Sequence, residues 1–192
     1  KTISTPTNSV EKLTTGNIQK NEYVTLADSL KNYMDTYGKS PNYLNTSQGT
    51  MKFESTVYMF TRILTFYDTN NRLPNYALVY AWNGKNITSN GETSTTDTQV
   101  TVTQSQLQTT AYSLQTFIEN HNKMPTTVTI AGRDISISQF LQLLAQNLLD
   151  IYNDQSSTLT TQNISMAPSP VENIESGTIQ KTEYIQLIEN LI

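Results

Sequence analysis

Arg72-Leu73-Pro74-Asn75-Tyr76 decides the reading of this chain, because its setting occurs twice more. The counterparts are Lys39-Ser40-Pro41-Asn42-Tyr43 and Lys123-Met124-Pro125-Thr126-Thr127. Two residues before each proline stands a base. Eight before is an aromatic (Tyr33, Phe66, Phe117), and eleven before is an aliphatic (Leu30, Ile63, Leu114). Columns kept at one spacing mark internal repeats, units that must bury their apolar sides on one another. A second block, Gly16-Asn17-Ile18-Gln19-Lys20-Asn21-Glu22-Tyr23-Val24, returns as Gly177-Thr178-Ile179-Gln180-Lys181-Thr182-Glu183-Tyr184-Ile185. Weaker copies open at Gly49 and Gly132. The interval from Pro41 to Pro74 equals that from Gly16 to Gly49, whereas Pro74 to Pro125 is longer by about half. The extra length falls on the stretch from Thr88 to Asp97, which has no apolar side chain and reads as a linker.

Around these anchors the apolar positions follow a helical period. Tyr23, Leu26, Ala27, Leu30, Tyr33, Met34 and Tyr37 form one stripe. The stripe returns through Val57, Phe60, Ile63, Leu64, Phe66 and Tyr67, through Leu107, Ala111, Leu114, Phe117 and Ile118, and from Phe140 to Tyr152. Helices are therefore predicted over 21–37, 55–70, 105–121 and 138–152, with a fifth over 182–190. Asn21 and Ser138 are suitable N-caps, and Gly38 is a suitable left-handed stop. Thr127 to Ile130 and Asp134 to Ile137 alternate around Ala131-Gly132 and read as a hairpin. Leu78-Val79-Tyr80-Ala81-Trp82 before Asn83-Gly84 reads as another. The expected fold is mostly α, in the α+β class, built of tandem units of about 33 residues. Each unit is a helix, a proline turn and a short hairpin. The expected organisation is an N-terminal segment 1–15, two units in 16–87, a linker 88–99, two units in 100–153, a linker 154–176 and the start of a further unit in 177–192. The chain reads as a piece of something longer.

Composition narrows the function. Thr, Ser, Asn and Gln make up about two residues in five, and charged residues are only 15%, against roughly 25% in an average domain. That balance suits an exposed surface protein. A net charge of −4 gives no overall attraction to a phosphate backbone. The absence of cysteine removes thiol nucleophiles, disulfides and Cys-ligated metals. The single histidine, His121, offers no metal-ligand spacing and reads as a polar helix end. No apolar run is long enough to span a membrane. Glu22 and Glu183 stand in first helical turns, where the macrodipole accounts for them; Glu54 and Glu119 are also available, but nothing singles out two carboxylates with divergent environments as a glycosidase pair. No catalytic residues, metal ligands or cofactors are assigned.

An aromatic ahead of Pro-Asn-Tyr at this fixed spacing, a short strand, a glycine and a helix-opening Ile resembles the pseudomurein-binding repeat. Such repeats occur in surface proteins of methanogenic archaea and in the wall-lytic endoisopeptidases of their viruses. The resemblance covers residues 16–85 and 100–152, and 177–192 look like the start of another copy. It departs at Pro125, where Thr126-Thr127 stands in place of Asn-Tyr, and after Tyr152, where no proline turn follows. It implies a non-catalytic module that binds the pseudomurein cell wall outside the cell, anchoring a surface protein or targeting a wall-lytic enzyme. In the latter case a peptidase domain would lie outside these residues. The alternative is a structural or adhesive stalk segment that binds another protein. Neither reading involves nucleic acid or membrane insertion.

The expected ligand contacts are Asn42, Tyr43, Arg72, Asn75, Tyr76, Tyr80, Trp82 and Arg133, on the turn-and-hairpin edge. Phenol and indole rings stack on apolar faces, and carboxamides offer both donor and acceptor. Each has a plainer reading. Pro-Asn suits a turn with Tyr packed behind it, a lone Trp commonly fills a core, and cations near a helix C-terminus answer the macrodipole.

Overall fold

Four of the five predicted helices form within two residues of their expected spans, and the fifth, 182–190, lies outside the described residues. The computed structural model describes residues 11–80, 88–89 and 99–165. Its strands and helices run β1 (Lys12–Leu13), β2 (Gly16–Gln19), α1 (Lys20–Tyr37), β3 (Tyr43–Thr46), β4 (Gly49–Lys52), α2 (Phe53–Asn70) and β5 (Tyr76–Val79). They continue as β6 (Thr88–Ser89), β7 (Thr101–Val102), α3 (Gln104–His121), β8 (Lys123–Met124), β9 (Thr127–Ile130), β10 (Arg133–Ser136), α4 (Ile137–Tyr152) and β11 (Leu159–Thr160). The mixture is α+β, as expected.

The helix ends explain the fixed place of proline. α1, α2 and α3 each stop in a left-handed residue: Gly38 at φ 60, Asn71 and Asn122 at φ 49. Asparagine tolerates that region because its short amide bonds locally. In each case proline follows three residues later and prevents any return to helix. At the N-termini, Thr103 with Gln106 and Ser136 with Gln139 form capping boxes. The expected caps Asn21 and Ser138 are not the caps. α1 and α4 begin one residue before each of these positions, so Gln19 and Ser136 stand at the N-cap.

β3 and β4 form an antiparallel hairpin, and β1 adds to its β4 edge. β9 and β10 form the hairpin expected around Ala131-Gly132. β5 pairs antiparallel with β2, from Gln19–Tyr76 to Gly16–Val79; the turn expected beyond it, at Asn83-Gly84, lies outside the described residues. β7 pairs in the same sense with β11, and β6 runs parallel to β8. Each hairpin feeds directly into a helix, β4 into α2 and β10 into α4.

The order strand, helix, hairpin, helix, strand therefore occurs twice, and the two passes keep one offset. The interval from Lys20, which opens α1, to Gln104, which opens α3, equals that from Phe53 of α2 to Ile137 of α4. The packing repeats too: α1 lies on α4 and α3 lies on α2, with α2 also touching α4. α4 is buried on nearly every side from Ile137 to Leu148, as a helix apolar all round requires. Phe60, Phe140, Tyr23, Leu30, Met34 and Leu107 are among the fully buried side chains. The α1 stripe ends sooner than expected, since Tyr37 is 61% exposed.

The described part of the 154–176 linker packs on the fold. Leu159 and Ile164 are each 3% exposed, and Thr161 is fully buried. Thr161 exchanges hydrogen bonds with Val100: its N–H reaches the Val100 carbonyl at 2.9 Å, and its hydroxyl accepts from the Val100 N–H at 2.9 Å. Ser165 in turn exchanges backbone bonds with Gly38 and Ser40 at the end of α1. Two apolar side chains in a polar stretch suffice to hold it, because the backbone bonds are made to the protein instead of water.

Candidate functional site

The three proline turns share one backbone function. The carbonyl after each proline accepts the first N–H of a helix: Asn42 from Phe53 at 3.0 Å, Asn75 from Lys20 at 2.9 Å and Thr126 from Ile137 at 2.9 Å. These N–H groups have no partner within their own helix. Any residue supplies a carbonyl, so Thr126 performs this role as well as asparagine does. The second turn is locked further by the buried Tyr23 hydroxyl, which donates to the Pro74 carbonyl at 2.6 Å. Burial, with the Tyr152 phenol adding to it, pushes the Tyr23 pKa well above the usual tyrosine value. Turn geometry thus uses the asparagine backbones, while both side chains remain at least partly exposed.

Around the second turn lies a groove of about 290 Å³, at the small end of the roughly 300–1,000 Å³ of ligand pockets. α2 provides one wall with Arg62, Thr65, Phe66 and Thr69. β5 provides the other with Tyr76, Ala77 and Leu78, and Gln115 of α3 closes one side. The pairing of β5 with β2 holds Tyr76 at this edge with its ring 51% exposed. Arg72 sits beside the groove with its guanidinium 5.2 Å from the centre of the Phe66 ring, a cation–π distance.

Arg62 is the charged group inside the groove. Its guanidinium lies 5.4 Å from the Tyr58 ring centre and 5.3 Å from that of Tyr80. One nitrogen donates to the Leu78 carbonyl at 2.8 Å. The Tyr58 hydroxyl donates to the Glu119 carboxylate at 2.9 Å, and the Gln115 amide donates to the same oxygen at 2.8 Å. Burial and that bond to Glu119 hold the Tyr58 proton well above the ordinary tyrosine pKa, against the opposing pull of Arg62.

Of the expected contact residues, Tyr76 lines the groove, with Arg72 beside it on Phe66 and Tyr80 behind it on Arg62. Asn75 is exposed at the turn that leads into β5. Asn42 and Tyr43 belong to the first turn, where Tyr43 pairs with Lys52. Arg133 opens β10 on the other hairpin, exposed and opposite Ile130. Neither of these two groups lines the groove. Trp82 lies outside the described residues. Arg62, Phe66 and Gln115 were not among the expected contacts; Phe66 and Arg62 belong to the helix that carries the repeat's own aromatic column. Among the described residues no cluster of three His, Asp or Glu side chains could hold a metal. No described helix is long and apolar enough to cross a membrane.

No curated protein matches the chain. A family model does, over residues 48–79, from the β3–β4 turn through α2 and the Pro74 turn to the end of β5. That span supplies every groove residue except Gln115. The model that residues 48–79 match is that of the pseudomurein-binding repeat.

Proposed function

We propose that this chain is a non-catalytic cell-wall module that binds pseudomurein and holds a larger protein, a surface adhesin or a wall-lytic enzyme, at the wall. The observation that carries this reading is the coincidence of the matched span with the groove. The family is a binding repeat, and its segment here presents aromatic and cationic side chains at an open edge. Arginine and tyrosine are among the residue types that dominate interface energies.

Further copies of the repeat support multivalent attachment. The strand–helix–hairpin–helix–strand order recurs at a constant offset, Lys20 to Gln104 and Phe53 to Ile137, and the block at Gly16 reappears at Gly177. Several weak sites on one chain raise avidity by about 10²–10⁴ where their spacing fits the polymer. The contact surface in this reading is the strand-and-turn edge at Asn75, Tyr76, Tyr80 and Arg72, with Trp82 following Tyr80 in sequence, and with Asn42, Tyr43 and Arg133 serving the other copies.

The purified protein is expected to sediment with washed pseudomurein sacculi, to stay in the supernatant with murein sacculi, and to release neither amino groups nor reducing ends. Equal sedimentation with both walls, or with neither, would contradict the binding half. Measurable release of either group would contradict the non-catalytic half.

A further inference from the structure

The groove beside Tyr76 carries more chemical information than its family match. We propose that it is a receptor for a single carboxylate on an extended, partly apolar ligand, with Arg62 as the anchor. This deepens the wall-binding reading and rests on it for the identity of the polymer that bears the carboxylate.

Arg62 is oriented before any ligand arrives. Contacts to the Tyr58 and Tyr80 rings at 5.4 and 5.3 Å and the 2.8 Å bond to Leu78 fix the plane of its guanidinium. A guanidinium has five N–H donors, so one bond to a carbonyl leaves a fork for another acceptor. A fork already held in place loses little freedom when it bonds, and its geometry matches a carboxylate in a bidentate pair. Among the described residues no carboxylate forms an ion pair with Arg62; the ion pair found there is Lys31–Asp35 on α1. Glu119, which meets the Tyr58 that stacks on Arg62, is engaged by the Tyr58 hydroxyl and the Gln115 amide.

The surroundings favour a monoanion. Arg62 lines the groove, whereas Arg72 is held beside it on Phe66, so one positive charge faces the ligand. A dianion would bring a second negative charge towards Glu119 with no second guanidinium to meet it, and like charges at close range repel. Ile63, Phe66, Ala77 and the exposed Tyr76 ring supply apolar area for the chain attached to the carboxylate.

The test is an NMR titration of the whole chain with three probes: an N-acetylated dialanine with a free carboxylate, the same peptide as its carboxamide, and inorganic phosphate. The free acid should shift the Arg62 side-chain and Tyr76 ring signals, and it should bind at least tenfold more tightly than the carboxamide or phosphate. Arg62→Gln should abolish that preference, and Arg62→Lys, which keeps the charge without the fork, should weaken it. Melting curves identify any variant that fails to fold, and the three-probe comparison on the parent stands without either variant. Equal binding of acid and carboxamide, tighter binding of phosphate, or no response at Arg62 would overturn the proposal. Sacculi with amidated carboxyls separate it from the wall reading. Undiminished sedimentation with them would sink the carboxylate receptor and leave wall binding intact. A response to the free acid with no sedimentation on untreated sacculi would do the reverse.

Discussion

Replacing Leu159 or Ile164 by alanine should destabilise the fold by about 2–5 kcal/mol in each case, the usual cost of truncating a large aliphatic side chain in a packed core. Each is 3% exposed, and neither belongs to a helix that could compensate. Leu159 pairs across to Val102, itself buried, and nearby Thr161 satisfies both polar groups of Val100. Loosening the segment would thus expose the start of α3 and leave Val100 without its partners. Urea unfolding of the two variants measures this directly. A change below about 0.5 kcal/mol, typical of surface positions, would mean that residues 155–165 are a tether resting on the surface.

Gly49→Ala is the second large effect. Gly49 opens β4 at φ +108, and a Cβ placed there would lie 2.0 Å from the Lys12 carbonyl oxygen, a backbone atom of the paired β1. Either the backbone leaves that conformation or β1 moves off β4. Backbone strain of this kind costs roughly 1–3 kcal/mol, and losing the β1 pairing adds to it. Gly132→Ala is the control: its φ is +72 but nothing lies within 4 Å of the added carbon, so it should lose only about 1 kcal/mol for the left-handed region. Thermal unfolding of the pair is expected to rank Gly49→Ala far below Gly132→Ala. Equal losses would show that the Lys12 contact exerts no constraint.

These two glycines also show where the sequence could be read and where it could not. By the spacing to the helix stripe they align as equivalents, yet Gly49 is the first residue of β4 and Gly132 a turn residue before β10. A one-residue slip in a hairpin leaves the apolar columns almost unchanged, so periodicity does not detect it. The helices were legible because burial imposes a 3.6-residue period on their side chains. Gly38 was legible as a stop, while Asn71 and Asn122 were not, since asparagine is common in both turns and exposed helices.

The pairing of β2 with β5 joins segments that α1, the first hairpin and α2 separate in the chain, and it does so through backbone groups. No side chain advertises it. The capping carbonyls of Asn42, Asn75 and Thr126 escaped for the same reason. Reading Pro-Asn-Tyr by its side chains picked out Tyr76, which borders the groove, and missed what fixes that edge. Arg62 was invisible on other grounds: a lone cation on a helix ordinarily faces water, and only β5 folding across α2 places it against Tyr80. The polar stretch from 154 looked like linker because its two apolar anchors are too few to set a period.

If the β5 edge of residues 48–79 is the surface that meets the wall, Tyr76→Ala measures it most directly. That ring is half exposed on the groove, and truncating it leaves no buried cavity. In equilibrium sedimentation with pseudomurein sacculi, the variant should bind at least tenfold more weakly than the parent, in line with a hot-spot aromatic, at an unchanged melting temperature. Binding equal to the parent's by a folded Tyr76→Ala protein would place the contact surface elsewhere on the molecule and contradict the account.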